Sequence, residues 1–565
     1  MFQRCGLKWL VRCSCLMIEL GRSPRGAHGG RRLDRAKRQD VVARAGQDAR
    51  SGQCEARALA QWPLLRSKWM LSFEIILTFV GEKPTSVFLD FAMMTTGSHE
   101  ASAPSEQELS PEIDFAILRL REFFESSDIA SLQPNSPNTV YTTAVTLWLL
   151  ILQRLRGGIS QAAAVKEMIE NLPGFVPDNK RVRNSLLSVS DSSYNQARKR
   201  LTLETVIELF DRVSMSIVRQ AQMPRERHKV LIDGTTFTLP PTPEIKEAFP
   251  PAMNQHGESV WPVMMVFVAH ELNTGCAIKP EIGAMYGNKT DSELKMARRI
   301  FKRLPSRSIV IGDAGLGIFS VVQGAVQAGH DVVLRLSNTR FKSLTKKATQ
   351  IFDNTWSLTW QPTAKDRKTT PELPEDAQVE VRIHRKEVDG HEIYLVTTIL
   401  GLSRSEAFEI YKCRQDVETD IGDIKVTMDT ENIRAKTKEG VLKEMYTSLI
   451  AYNSVVQFRR DAARVANKPP RQMSFKGTLD TFGIFLSNKL LVLEPQECIA
   501  QYAKALRIAS REIIRQRPGR NYRRAAHPRR PKTTKWQKQQ TKANKQKAAE
   551  ESDLKQKENP QTNSS

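Results

Sequence analysis

Between His228 and Leu336 short apolar runs alternate with helical segments, and two of those runs close on an aspartate. His228 to Leu239 reads as a short buried strand running into Asp233-Gly234. Val260 to His270 reads as a long apolar strand, Asn273-Thr-Gly275 as a turn, and Cys276 to Met285 as the antiparallel partner. Asp291 to Arg303 predicts a helix, Ser308 to Asp313 a buried strand, Ile318 to Ala328 a helix and Asp331 to Leu336 a strand. Elements in that order restrict the chain to an α/β fold, a mixed sheet with helices on its faces.

An aspartate inside apolar strand sequence is expensive to bury unless it is paired or metal-bound. Two such positions in one sheet, Asp233 and Asp313, point to a shared site. For each taken alone, a turn cap with Gly234 or Gly315 as the turn partner is the alternative. Converging carboxylates need cations, because like charges about 4 Å apart repel by roughly 4 kcal/mol at an effective dielectric of about 20. Oxygen-only ligands favour Mg²⁺ or Mn²⁺, and two such ions can bracket a phosphoryl centre.

A third acid lies in the stretch Arg404 to Met428, which has no proline and is rich in helix formers. On a straight helix Tyr411, Arg414, Glu418 and Lys425 fall at roughly 0°, 300°, 340° and 320°, a single stripe. Asp416, Asp420 and Asp423 fall on the far side. Glu418 is then the one acid on a face carrying a phenol, a guanidinium and an ammonium, the surroundings of a metal ligand beside a phosphodiester. A solvated face with an Arg-to-Glu pair fits the same spacing.

The flanking sequence has a different character. Residues 1–92 are rich in Arg, Gly and Ala without lasting periodicity, and read as a disordered basic leader or an over-extended gene start with translation beginning at Met93 or Met94. Residues 93–224 predict an all-helical domain, with helices at Glu112 to Glu125, Val140 to Leu155, Ser160 to Asn171 and Ser192 to Met215. In the last of these a Ser/Asp cap precedes Tyr194, Arg198, Lys199 and Arg200, which suits phosphate contacts from a groove-facing helix; an ordinary capped surface helix is the alternative. Residues 225–470 contain the sheet, interrupted by a β-rich insertion at 338–400 that is too long for an ordinary connection. Residues 471–514 predict further helices, and 515–565 a disordered basic tail suited to nonspecific contact with nucleic acid.

Composition agrees with such a partner. The 565 residues carry a formal net charge of +23, and the sequence pI is about 9.7, so an acidic polymer is the expected partner. No apolar run is long enough to cross a bilayer. Cys5, Cys13, Cys15, Cys54 and the three later cysteines show no zinc spacing, so a reduced, cytoplasmic and nucleoid-associated protein is expected.

Tyr411, Arg414, Glu418 and Lys425 match without gap the pattern Tyr-x2-Arg-x3-Glu-x6-Lys, and with Ile-Asp-Gly-Thr-Thr around Asp233 and Gly-Asp-Ala-Gly-Leu-Gly around Asp313 the chain resembles the DDE transposases of bacterial insertion sequences, in their family four group. The resemblance covers about residues 110 to 490. It implies a ribonuclease-H-like catalytic core with a β-rich insertion between the second aspartate and the glutamate. Asp233, Asp313 and Glu418 would hold two Mg²⁺ or Mn²⁺ ions. Tyr411, Arg414 and Lys425 would contact the element's terminal DNA, with Arg434 and Lys436 where the family often has basic residues. The implied activity is cut-and-paste transposition, in which a dimer on paired ends cleaves the terminal inverted repeats and joins them to target DNA. Two other readings fit the same acids: another ribonuclease-H-like nuclease without strand transfer, and a transposase-derived DNA-binding protein that no longer transposes.

Overall fold

Thr142 precedes the first helix among the described residues. Its Oγ1 accepts from the Val145 N–H at 3.3 Å and caps helix α1, Thr143–Leu155, whose run Val145 to Leu155 is buried on every side. The computed structural model describes residues 138–515 apart from 172–175, 222–225, 256, 289 and 489–494, together with residues 133, 135, 544, 546 and 550. The expected leader, the helix at Glu112 to Glu125 and the tail beyond Arg515 lie outside the described residues, bar those last three positions.

Among the described residues four more helices precede the sheet: α2 (Gln161–Glu170), α3 (Lys180–Arg183), α4 (Ser192–Arg200) and α5 (Leu203–Ala221). The single helix expected from Ser192 to Met215 is thus two. Leu201 adopts extended backbone (φ −58°, ψ 124°), and the Thr202 hydroxyl caps the new start by accepting from the Thr205 N–H at 3.3 Å.

The sheet is mixed and has ten strands: β1 (Lys229–Thr238), β2 (Pro251–Asn254), β3 (Gly257–Glu271), β4 (Ala277–Ala284), β5 (Ile309–Gly312), β6 (Asp331–Leu336), β7 (Thr349–Phe352), β8 (Thr355–Trp360), β9 (Val379–Val388) and β10 (His391–Thr397). Their spatial order is β2-β3-β1-β5-β6-β10-β9-β8-β7, with β4 also on β3. Antiparallel β1 and β3 pair Asp233 with Val268. Parallel β1 and β5 pair Lys229 with Ile309 and Leu231 with Ile311. Central strands buried on both faces need continuous apolar runs, which Val230-Leu-Ile, Ile309-Val-Ile and Val332-Val-Leu supply.

One expectation changes. The first strand does not end at Asp233 but runs on to Thr238, so the acid sits inside β1. The β-rich segment prolongs the main sheet: β10 pairs antiparallel with β6 (Tyr394 with Leu336). Between β6 and β10 lie helices α9 (Asn338–Thr345) and α10 (Ala364–Thr369), and α6 (Pro243–Ala248), α7 (Glu293–Ile300) and α8 (Phe319–Gln327) come earlier in the chain. The arrangement is a mixed α/β fold, consistent with the ribonuclease-H-like core implied by the resemblance.

After β10 come α11 (Arg404–Lys412), α12 (Asp416–Gly422), the long α13 (Lys438–Val465), α14 (Phe475–Asn488) and α15 (Pro495–Ala509). Helix α13 is the axis of the helical layer. It packs against α1, α5, α14 and α15, so the early helices share one apolar core with the sheet. Among the described residues no helix is long and apolar enough to cross a membrane.

Candidate active site

Strand register brings the two aspartates to the same end of the sheet. The β1/β5 pairs run in step, and carried forward two residues past the last of them that register sets Asp233 level with Asp313. Gly312 ends β5, and Asp313 turns the chain: its Oδ1 accepts from the N–H groups of Gly315 (2.9 Å) and Leu316 (3.3 Å). Asp233 Oδ1 accepts from the Gly234 N–H at 2.9 Å. The turn-cap reading therefore describes one oxygen of Asp313, whereas Asp233 bonds its neighbour within β1.

Glu418 arrives on α12, in a segment less regular than a straight helix. Between α11 and α12 lies a 3-10 turn, Cys413–Gln415, and α12 runs into a π turn, Asp423–Thr427. Tight and wide turns in succession re-aim side chains, and π turns recur at functional sites. Arg414 is placed between the acids: Nη1 lies 2.5 Å from Glu418 Oε1 and Nη2 3.3 Å from Asp233 Oδ2. The Asp233 and Arg414 side chains are each 19% exposed, whereas Glu418 is 61% exposed. Burial pushes the Asp233 carboxyl above its ordinary value; Arg414 and the Gly234 N–H pull it down, and the charges of Asp313 and Glu418 push it up again.

A fourth carboxylate, absent from the sequence reading, belongs to the group. Glu293, in the first turn of α7, lies over Gly234 so closely that a β carbon there would fall 1.8 Å from Glu293 Oε1. Burial raises its carboxyl, and Asp233 and Asp313 raise it further. Its sequence signal was misleading, because an acid directly after the capping Ser292 is what any helix start favours. Arg335 on β6 was also missed; it stands beside the Tyr411 phenol, which burial raises and Arg335 and Arg414 lower. A lone arginine among Val332, Val333, Leu334 and Leu336 was the available signal.

The other expected DNA contacts divide into two sets. Lys425 is tied to β1: Nζ donates to the Thr236 carbonyl at 2.9 Å, pairs with Glu431 at 3.1 Å and lies 5.1 Å from the Phe237 ring centroid. Tyr194 is 0% exposed and donates its hydroxyl to Gln153 Oε1 at 2.8 Å, which corrects its assignment as a DNA contact: it is a core residue. Arg198 likewise turns inward, to Glu444 Oε1 at 2.9 Å, and buried Glu444 also holds Arg154 at 2.8 Å and the Arg434 N–H at 3.0 Å. The side chains of Lys199, Arg200, Arg434 and Lys436 are exposed.

Residues 224–454 match the family described as the transposase DDE domain. Asp233, Asp313, Glu293, Arg335, Tyr411, Arg414, Glu418 and Lys425 all fall inside the transposase DDE stretch. The chain is also 25% identical over 296 residues to the transposase InsG for insertion sequence element IS4 of Escherichia coli (strain K12), an alignment covering 51% of this chain and 65% of that relative. The chain therefore matches slightly less than two thirds of the relative's length.

As donors, the four carboxylates around β1 suit a hard divalent cation. Burial raises the Asp233 and Glu293 carboxyls and their mutual repulsion adds to it, and such a cation relieves that repulsion. Among the described residues no three His, Cys, Asp or Glu side chains are gathered as a ready ligand set. Arg414 holds Glu418 and Asp233 in the position of a counter-ion.

Proposed function

We propose that this chain is a DNA transposase that cleaves the terminal inverted repeats of its own element and joins them to target DNA by cut and paste. What supports the reading is that Arg414 contacts both Asp233 and Glu418 while strand register sets Asp313 level with Asp233, within a stretch that matches the transposase DDE domain. The relative's own name, a transposase for an insertion sequence element, agrees with it.

Asp233, Asp313 and Glu418 would hold Mg²⁺ or Mn²⁺. Bound there, the ions supply the charge that activates an attacking water or 3′-hydroxyl and stabilises the leaving oxygen. Arg414 would move from Glu418 to a phosphate, with Tyr411 and Arg335 beside it, since a guanidinium offers a planar fork to either anion. Lys425, held on β1, would meet terminal DNA at the wall of the site. Lys199, Arg200, Arg434 and Lys436 would bind phosphates farther along the end, and joining two ends calls for two protomers.

Incubation of the full chain with a labelled duplex carrying the repeats that flank its gene, plus Mg²⁺, tests this: metal-dependent nicking at the repeat boundary is expected. The exposed, Arg-paired Glu418 gives a specific reason to keep the second reading, a DNA-binding protein without transposition. Tight end binding with no cleavage in either Mg²⁺ or Mn²⁺ would favour it.

A further inference from the structure

The face of α12 turned away from Glu418 is gripped by one guanidinium from outside the transposase DDE stretch. Asp416 and Asp420 lie one turn apart on that face, and Asp420 is fully buried. Arg471, in the 3-10 turn Pro470–Gln472 that follows α13, donates from Nη1 to Asp420 Oδ1 and from Nη2 to Asp420 Oδ2, both at 3.0 Å. Its Nε lies 3.2 Å from Asp416 Oδ2 and 3.2 Å from the carbonyl oxygen of Leu272, just past the end of β3. The same β3–β4 turn is anchored to α13 by Tyr452, whose hydroxyl donates to the Gly275 carbonyl at 2.9 Å. His270 Nδ1 faces Asp420 Oδ2 at 3.6 Å from the sheet side.

A bidentate arginine fork fixes distance and rotation together, which a single ammonium cannot do. Buried ion pairs contribute little net stability against an apolar replacement, so their selective use lies in specifying one geometry. We propose that Arg471 is the positioning residue for Glu418: by holding Asp416 and Asp420 from behind, it sets the rotation of α12 and hence the direction in which Glu418 faces Asp233. The inference rests on Glu418 belonging to the reacting site. It also extends the functional unit beyond residue 454, where the transposase DDE match ends, to at least Pro470–Gln472.

The test uses the full chain as Arg471→Ala and Arg471→Lys, with Leu506→Ala, a buried α15 residue, as the control for lost stability. Two quantities are read: single-turnover cleavage against affinity for the end duplex, and amide exchange across residues 416–427 without DNA. Arg471→Ala should slow cleavage by about 30-fold while affinity changes by less than about 3-fold, because misplacement of a reacting group by about 1 Å costs on the order of 100-fold. Exchange at 416–427 should accelerate by more than about 10-fold, beyond any change in Leu506→Ala. Arg471→Lys, which keeps the charge without the fork, should recover part of both and serves alone if the alanine variant does not fold. Exchange no faster than in the control, or cleavage unchanged, would overturn the proposal. Should the wild type cleave no DNA, the transposase reading fails separately, and the exchange result still decides whether Arg471 positions α12.

Discussion

Glu293 Oε1 occupies the space directly above Gly234, 1.8 Å from where a β carbon would stand. The glycine next to the first aspartate thus serves a contact between β1 and α7. Gly234→Ala should displace the Glu293 carboxylate at a cost of about 1 kcal/mol, the low end for overpacking, since a flexible side chain can yield. Cleavage assays on Gly234→Ala, Glu293→Gln and the double variant should show non-additive losses. Additive losses would mean that the two changes act independently.

Arg414 makes a second prediction, about cations. Its removal leaves Asp233 facing Asp313 and Glu418 without the resident positive charge, so Arg414→Ala should lose about 1–2 kcal/mol in chelator. Mg²⁺ should restore more stability to Arg414→Ala than it adds to the wild type, and none to Asp313→Asn. Thermal midpoints with and without Mg²⁺ read this directly; equal Mg²⁺ shifts in all three proteins would contradict it.

Helix α4 separates buried from exposed residues. Tyr194→Phe should cost about 1 kcal/mol through the lost bond to Gln153 and leave DNA affinity unchanged. Lys199→Ala and Arg200→Ala should each weaken end binding and lower the log–log salt slope by about 1. Salt titrations of binding measure both.

Asp461 gives a pH dependence whose sign follows from burial. Its carboxyl is pushed up from 3.8 to about 6, while Tyr502, Gln457 and Arg464 pull the other way. The folded state therefore holds a proton that the unfolded state releases earlier. The stability this carboxyl contributes is full below pH 4 and is lost as pH rises through about 6, a change of about 3 kcal/mol. Relative to Asp461→Asn, the wild type should be more stable at pH 4 than at pH 7. A stability difference that does not vary with pH would contradict the assignment.

What the sequence disclosed is what short spacing encodes. The apolar runs of β3, β5 and β6 were legible, and so was the company of Tyr411, Arg414 and Glu418, because those residues lie within about two helical turns of one another. Pairings across long sequence distances were not. Arg198 finds Glu444, Arg471 finds Asp420, and β10 lies beside β6 through tertiary packing that no local period records. Tyr194 was legible but misread: with Ala197 and Leu201 it completes a buried stripe at three and four spacing. The π turn at Asp423–Thr427 had no visible cause in the sequence, and it is what ends the straight-helix description of Lys425.

Whether Glu418 completes the reacting site with Asp233 and Asp313 is decided by Glu418→Gln in the Mg²⁺-dependent end-cleavage assay. The substitution removes a metal-binding charge and little volume. Cleavage should fall below detection while affinity for the end duplex stays within about 3-fold of the wild type, because phosphate contacts rather than Glu418 carry binding. Cleavage retained at near wild-type rate would contradict the account.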